Sequence, residues 1–377
     1  MENFIAYNPT KLYFGKGVIT HLPKEIKNTK NILFLFGKGS IKRNGIYNKV
    51  IGEIPKDVNV IEYSGIKPNP VIDDINNILD LTINTLPDII IAVGGGSVID
   101  SAKVASVCIK EKLDPWAVAT GKVTPQSSIP LIAVLTIAAT GTEMNPFAVI
   151  QNTEKKEKVG FGNPLMYPKA SFLDPEFTLT VSEKYTMYGI VDIIAHCLES
   201  YFGYGKTELT DRFIFSILKE TLEIGPKLLA NPINYEYRER MMWAATCALN
   251  GMTLHGKKSG DWGVHDIGHV ISVLFDTPHG ATLSIAYPAW MKLMQKKAAK
   301  ELKKLGLELF NTDKIEKTII KFEEFFLSIK CPVRLNDVGI TENKTNILLE
   351  QMIKNDVNGS NFIMDSDDYK QLIDFMK

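Results

Sequence analysis

The sequence predicts an α/β half built on a Rossmann-like parallel sheet, followed by an all-α half. Three observations carry this. Apolar runs alternate with helix-like stretches over the first 175 or so residues, glycines follow directly on two of those runs, and strand-like patterning almost vanishes beyond Thr180. The runs are Asn31–Phe36, Val58–Tyr63, Asp88–Val93 and Pro130–Leu135. Segments that are apolar on both faces and rich in Ile and Val read as strands buried on both sides of a parallel sheet. Between them, Gly39–Ile54, Val71–Thr85 and Ser97–Lys110 have helical length and period. Each strand–helix–strand unit is then a crossover. The charged segment Gln151–Lys158 reads as a solvated loop or hairpin. Further on, 182–203, 207–229, 236–254, 262–274, 288–308, 314–330 and 345–354 read as helices with breaks at Gly or Pro. The expected division is residues 1–178 and residues 179–377, with the boundary near Asp174–Thr180.

Composition narrows the function classes. At roughly 150 residues per domain, 377 residues suggest two or three domains. The 43 basic and 43 acidic residues cancel, and only five of the basic ones are Arg: Arg43, Arg212, Arg238, Arg240 and Arg334. Nucleic-acid proteins carry a basic excess and rely on Arg for bidentate recognition, so that class is disfavoured. The cysteines (Cys108, Cys197, Cys247, Cys331) are scattered without a CxxC, which suits the reducing cytoplasm. Met1–Thr10 lacks the basic and apolar regions of a secretory signal. No apolar run approaches the ~20 residues of a membrane helix. A soluble cytoplasmic protein is expected.

Two loops have the form of phosphate sites. Gly94-Gly95-Gly96-Ser97 follows Asp88–Val93 and opens a helix, with Ser97 as the expected N-cap. Glycines leave backbone amides unshielded, and a helix N-terminus favours an anion. The second loop, Gly37-Lys38-Gly39-Ser40, departs from GxGxxG because Lys42 stands at the third glycine. No Asp or Glu follows the strand to hold a ribose hydroxyl, whereas Lys38, Lys42 and Arg43 suit a 2′-phosphate. A third stretch, Thr136–Asn145, would place small hydroxyls at a strand's carboxyl end.

Histidine is scarce, and three of the six lie between 265 and 279. Asp192 and His196 are spaced i, i+4, as are His265 and His269, and His279 follows in an Asp-Thr-Pro-His-Gly turn. Residues one turn apart share a helix face, so a carboxylate and three imidazoles form a four-ligand set for Fe²⁺ or Zn²⁺. Spacing leaves open which three histidines ligate. His265 and His269 supply either two ligands or one ligand and one supporting group. His21 and His255 lack such partners and read as surface residues.

The segments GGGSVIDSAK (94–103), TIAATGTEMN (136–145), KVGFGNPLMYPKASFLDP (158–175), GIVDIIAHCLESYF (189–202) and GDWGVHDIGHVISVLFDTPHGATLSIAYPAWM (260–291) together resemble the iron-containing (group III) alcohol dehydrogenases. The resemblance is to their butanol dehydrogenase and NADPH-dependent aldehyde reductase branch. It implies a dehydroquinate synthase-like architecture, with a dinucleotide-binding domain and a metal-binding domain. It implies that Asp192, His196, His265 and His279 ligate the metal and that His269 faces the pocket. It implies cofactor contacts at Gly37, Gly39, Ser40, Asn69, Gly94, Gly95, Gly96, Ser97, Asp100, Thr136, Thr140, Thr142, Phe147 and Lys158. The GKGS loop matches the NADP-preferring form, and the family suggests a homodimer through the region around Lys11–Phe14. Two positions depart from the branch: Lys38 replaces a usual Gly, and Gly268 a usual Glu.

A metal and a nicotinamide in one cleft between the domains would imply hydride transfer to a small aldehyde. His269 is the candidate proton shuttle, since an unperturbed imidazole titrates at about 6.5. Alternative readings are an NAD-linked glycerol or polyol dehydrogenase, a non-redox lyase of the dehydroquinate synthase kind, and a cofactor-binding protein without catalysis. The lyase needs basic residues for an anionic substrate, and the metal-site segments are poor in Arg.

Overall fold

A computed structural model describes all residues, 1–377. The chain divides into two compact units. One comprises Tyr7–Ser182 and Ile233–Thr246, the other Met1–Ala6, Glu183–Pro232 and Cys247–Lys377. Compared with a contiguous division at 178, a C-terminal stretch joins the first unit and the first six residues join the second.

The α/β unit runs β1 (Lys11–Phe14), α1 (Leu22–Glu25), β2 (Asn31–Gly37), α2 (Ser40–Arg43), α3 (Ile46–Ile51), β3 (Asn59–Ile66), α4 (Ile72–Leu81), β4 (Ile89–Gly94), α5 (Gly96–Cys108), α6 (Pro115–Ala119), β5 (Leu131–Leu135), β6 (Phe147–Asn152), β7 (Glu157–Gly162) and β8 (Ala170–Leu173). Six strands form one all-parallel sheet in the order β1-β8-β5-β4-β2-β3. Alternate residues enter opposite cores, as the pleat requires. Ile32, Phe34, Phe36, Ile89, Ile91 and Val93 pack on one side. Leu33, Leu35, Ile90, Ala92, Ala133 and Leu135 pack on the other. This two-sided burial is why the central strands read as unbroken apolar runs. β1 and β8 have only four residues each, too few for a periodic signal. From β2 the chain crosses to β3, and from β4 it crosses the opposite way to β5. The switch point of the sheet therefore lies between β2 and β4, and both glycine loops flank it.

Gly39–Ile54 is not one helix. It breaks at Gly45, whose φ of 79° needs a residue without Cβ. Gln151–Lys158 is the turn end of the antiparallel β6–β7 hairpin.

The second unit consists chiefly of α7 (Glu183–Phe202), α8 (Glu208–Ala230), the end of α9 (Tyr235–Leu249), α10 (Gly263–Phe275), α11 (His279–Met294), α12 (Ala299–Phe310), α13 (Ile315–Ser328), α14 (Thr345–Lys354) and α15 (Ser366–Met376). The expected helix 288–308 is two helices broken at Gln295–Ala298, and the first begins nine residues earlier than Pro288, which lies inside it. Proline marked a start in the sequence because that is its favoured position. Here buried packing holds it in mid-helix. Close approach explains Gly280: a Cβ there would meet the Tyr188 carbonyl oxygen at 2.4 Å. No helix is long and apolar enough to cross a membrane.

Candidate active site

In the α/β unit, β4 ends at Gly94, Gly95 is the N-cap, and α5 begins at Gly96. Ser97 therefore lies inside the first turn. With glycine as the cap, no side chain spends itself on the first amides, which keeps them available to an external anion. The backbone needs these glycines sterically too. A Cβ on Gly94 would meet Val98 Cγ2 at 2.5 Å, one on Gly95 would meet Ile137 Cδ1 at 3.0 Å, and one on Gly96 would meet Thr140 Cγ2 at 2.6 Å. Thr136 donates its backbone N–H to the Gly94 carbonyl at 2.9 Å, tying the third loop to the first. Gly37 faces the same helix, its Cβ direction pointing at Val98 Cγ2, 3.8 Å away. Gly39 has φ 93° and Ser40 opens α2.

Beneath this surface is a network that sequence reading missed. Lys103 is fully buried. Its Nζ donates to Thr142 Oγ1 at 2.7 Å, Asn145 Oδ1 at 3.0 Å and the Phe147 carbonyl at 2.7 Å. Thr142 donates onward to Asp100 Oδ1 at 2.6 Å, and Asp100 Oδ2 accepts the Val149 N–H at 3.0 Å. Asp100 and Thr142 thus sit within the protein interior, engaged with it, whereas Phe147 presents an exposed ring. Burial pulls the Lys103 amine down to about 7, opposed by Asp100 and Glu143. Lys158 donates to Asn69 Oδ1 at 2.9 Å, and Asn69 adopts φ 60°. Of the cations near the second loop, Lys42 is already engaged. Its Nζ lies 3.5 Å from Glu62 Oε2 and over the Phe36 and Tyr47 rings.

The helical unit gathers the other set. Asp192 and His196 face one way from α7, His265 comes from the first turn of α10, and His279 is the first residue of α11 rather than a turn residue. Asp192 Oδ1 lies 3.7 Å from His196 Nε2, 3.8 Å from His265 Nε2 and 3.6 Å from His279 Nε2. These separations exceed hydrogen-bonding distance. Accordingly Asp192 Oδ1 and His265 Nε2 are both buried without a hydrogen-bond partner, a costly condition for polar atoms. Four ligands at ~2.1 Å in a tetrahedron stand about 3.4 Å apart, close to the three separations from Asp192 Oδ1. The donor set fits a divalent metal. Ligand atoms of Asp192, His265 and His279 all lie within 4.8 Å of one another; His196 is not in that tighter group and joins it through Asp192 Oδ1 and a ring stacked 4.9 Å from His265. His269 stands outside this group, stacked 5.6 Å from the His279 ring. This separates the two members of the 265/269 pair, which spacing alone left equivalent.

Electrostatics follow from burial and mutual proximity. Burial disfavours ionised Asp192, yet the surrounding imidazoles outweigh it and hold the carboxyl well below the usual carboxylate range. Burial pushes His196 down to about 4. His265 is also penalised by burial, but the carboxylates of Asp192 and Glu199 carry it up to about 9. His21 packs against Tyr13 and His255 against Phe4. Gly268 lies against α11, where a Cβ would meet Thr282 Oγ1 at 2.7 Å, so a larger side chain there needs a shift. Glu199, which receives His265 Nδ1, was not singled out in the sequence, although it follows His196 at i+3 on the same helical stripe.

Comparison with known proteins agrees along the chain's length. Residues 9–175 match the model of the iron-containing alcohol dehydrogenase family, and residues 186–374 match the C-terminal model of the Fe-containing alcohol dehydrogenase family. The chain is 39% identical to a probable NADH-dependent butanol dehydrogenase of Bacillus subtilis, over 94% of each chain. It is 34% identical to the NADPH-dependent aldehyde reductase YqhD of Escherichia coli, over 93% of each. The crystal structure of NADH-dependent butanol dehydrogenase A from Thermotoga maritima superposes with a TM-score of 0.96 at 35% identity, covering 100% of this chain and 99% of that one.

Proposed function

The chain belongs to the iron-containing alcohol dehydrogenase family, in its butanol dehydrogenase branch, and from that premise we propose that it is a metal-dependent, NADP(H)-linked dehydrogenase of small primary alcohols and aldehydes. The observation that carries this is Asp192 Oδ1, buried without a hydrogen-bond partner and faced by three imidazole nitrogens at 3.6–3.8 Å. Asp192, His196, His265 and His279 hold the ion, whether Fe²⁺ or Zn²⁺. When bound, the metal supplies Lewis-acid polarisation of a carbonyl oxygen and the nicotinamide supplies the hydride. The chain's share is orientation and proton handling. Gly94–Ser97 and Gly37–Ser40 present backbone amides to the phosphates, with Thr136, Thr140, Phe147, Asn69 and Lys158 around them and Asp100 and Thr142 supporting from beneath. His269, one turn beyond His265, is assigned to moving a proton to the substrate oxygen.

NADP(H) preference rests on Lys38, Lys42 and Arg43 beside a β2 that ends without a carboxylate. Glu62 weakens the case by engaging Lys42. The relatives divide likewise, two named for NADH and one for NADPH. Four free, buried cysteines support a reducing, cytoplasmic setting. A homodimer through the outer edge of β1 is supported by that strand's place at the margin of the sheet, and sedimentation velocity tests it.

The deciding assay follows 340 nm absorbance of NADPH and NADH with butanal, glyceraldehyde and glycerol, with and without chelator. Chelator-sensitive reduction of butanal, faster with NADPH, is expected. Rates untouched by metal removal would sink the metal assignment, and a preference for glycerol with NAD would replace the substrate reading by a polyol one.

A further inference from the structure

We propose that Glu199 is the positioning residue of the metal centre, fixing both the His265 ring and the start of α10 so that His265 presents Nε2 to Asp192. The inference rests on the metal reading above and adds a residue to it. Three donors converge on this one carboxylate. Trp262 gives its backbone N–H to Oε2 at 2.6 Å, while His265 gives its backbone N–H to Oε1 at 3.0 Å and faces the same oxygen with Nδ1 at 2.8 Å. The side chain is 1% exposed, so water does not compete. A carboxylate only accepts, so Nδ1 keeps its hydrogen and Nε2 is the nitrogen that gives up its proton and offers a lone pair when a ligand binds.

The backbone around His265 shows how much holding this site needs. Trp262 is the N-cap of α10 and has φ 67°, a left-handed conformation unfavourable for a bulky residue. Its N–H bond to Glu199 fixes that turn one residue before the helix begins. Neighbouring Asp261 donates its N–H to the Glu199 carbonyl at 2.9 Å. Its carboxylate accepts the N–H groups of Asn361 at 2.9 Å and Phe362 at 2.8 Å. The start of α10 is thus held by α7 on one side and by the C-terminal segment on the other, with Glu199 the one side chain that bonds both the turn and the ligand ring.

The chemistry of the alternatives makes this testable. Gln is nearly isosteric but offers one acceptor and one donor. Placed at 199, its NH₂ must oppose either the Trp262 N–H, loosening the turn before α10, or the His265 N–H and Nδ1 together, driving that ring to the tautomer that carries hydrogen on Nε2. Both results disturb the ligand. The experiment uses the full chain and measures Co²⁺ and Zn²⁺ affinity by chelator competition, together with the visible spectrum of the Co²⁺ form. NADPH affinity and the melting temperature of the metal-free protein serve as controls. Glu199→Gln is expected to weaken metal binding about 10–100-fold and alter the Co²⁺ spectrum, with NADPH affinity unchanged. Glu199→Asp, which retains both acceptors one methylene further back, is expected to lose less affinity. It also decides the question if the Gln variant does not fold. Wild-type affinity and spectrum in the folded Gln variant, or in the Asp variant if Gln does not fold, would overturn the role of Glu199 while leaving the metal reading intact. A wild type that takes up no metal would remove both.

Discussion

As proposed binding sites, the glycine loops of the α/β unit and the imidazole cluster of the helical unit are built in opposite ways. At Gly94–Gly96 the protein works by omission. Side chains are missing, the backbone amides are bare, and a Cβ at any of the three would meet a neighbour at 3.0 Å or less. At Asp192, His196, His265 and His279 it works by supply, bringing polar atoms from three helices to within 4 Å of one carboxylate oxygen. The first site is a property of backbone path and fails by crowding. The second is a property of side-chain chemistry and fails by loss of a donor. Substitutions should therefore separate cleanly into those that affect nucleotide affinity and those that affect metal.

The strongest challenge to that separation is His196→Ala. Turnover should fall by at least roughly ten-thousandfold, more than about 5 kcal/mol, with NADPH affinity within twofold of wild type. Fluorescence titration of NADPH beside the 340 nm assay checks both, and a parallel loss of nucleotide binding would break the comparison. Next is Lys103→Met, which strips a buried network beneath the glycine loops. Removing one partner of such a network should cost about 3 kcal/mol, read by urea unfolding, with metal content preserved. It also carries a pH signature. The folded chain holds the Lys103 proton only up to about 7, whereas the unfolded chain holds it to 10.5. Between those values the unfolded state binds more protons, so stability gains from this group as pH rises from 7 towards 10.5 and gains nothing below 7. Melting curves across that range should show wild type gaining on Lys103→Met, and parallel curves would refute the assignment.

Gly96→Ala sharpens the other side. Crowding against Thr140 of about 1–3 kcal/mol should weaken NADPH tenfold to a hundredfold in direct titration, with Zn²⁺ affinity unchanged. The smallest effect is a control in the helical unit. Glu183 and Lys330 form an exposed pair at 2.7 Å, and Lys330→Ala should change stability by less than about 1 kcal/mol and neither affinity.

What the sequence made legible, and what it hid, follow the same division. Strands buried on both faces declare themselves by continuous apolar runs, which is why β2, β4 and β5 read directly while four-residue β1 and β8 did not. The i, i+4 spacing of Asp192/His196 and of His265/His269 placed each pair on one face, but only the path of α10 and α11 shows that His265, not His269, turns to Asp192. Helix starts misled in two ways: the expected cap Ser97 yields to Gly95, and His279, read as a turn residue, begins a helix behind Pro278. Lys103 and Glu199 stayed hidden because their partners lie 39 or more residues away. Local pattern carries no trace of such distant partners beyond their i+3 position after Asp100 and His196.

The stretch Ile233–Thr246 has a consequence for how the chain is made. It contributes Met242 to the core beneath the sheet. It also supplies Thr246, whose hydroxyl donates to the carboxylate of fully buried Glu143 at 2.6 Å. A ribosome delivers the sheet's last strand at Leu173 and then the 50 residues Glu183–Pro232 of the helical unit before this piece emerges. Until then Glu143 has no Thr246 and the core lacks Met242, so the first-synthesised half must wait, incompletely closed, for the second to be under way. Vectorial synthesis therefore does not yield one finished domain followed by another, and a chain released after Ser182 would present an acidic residue in a half-built core.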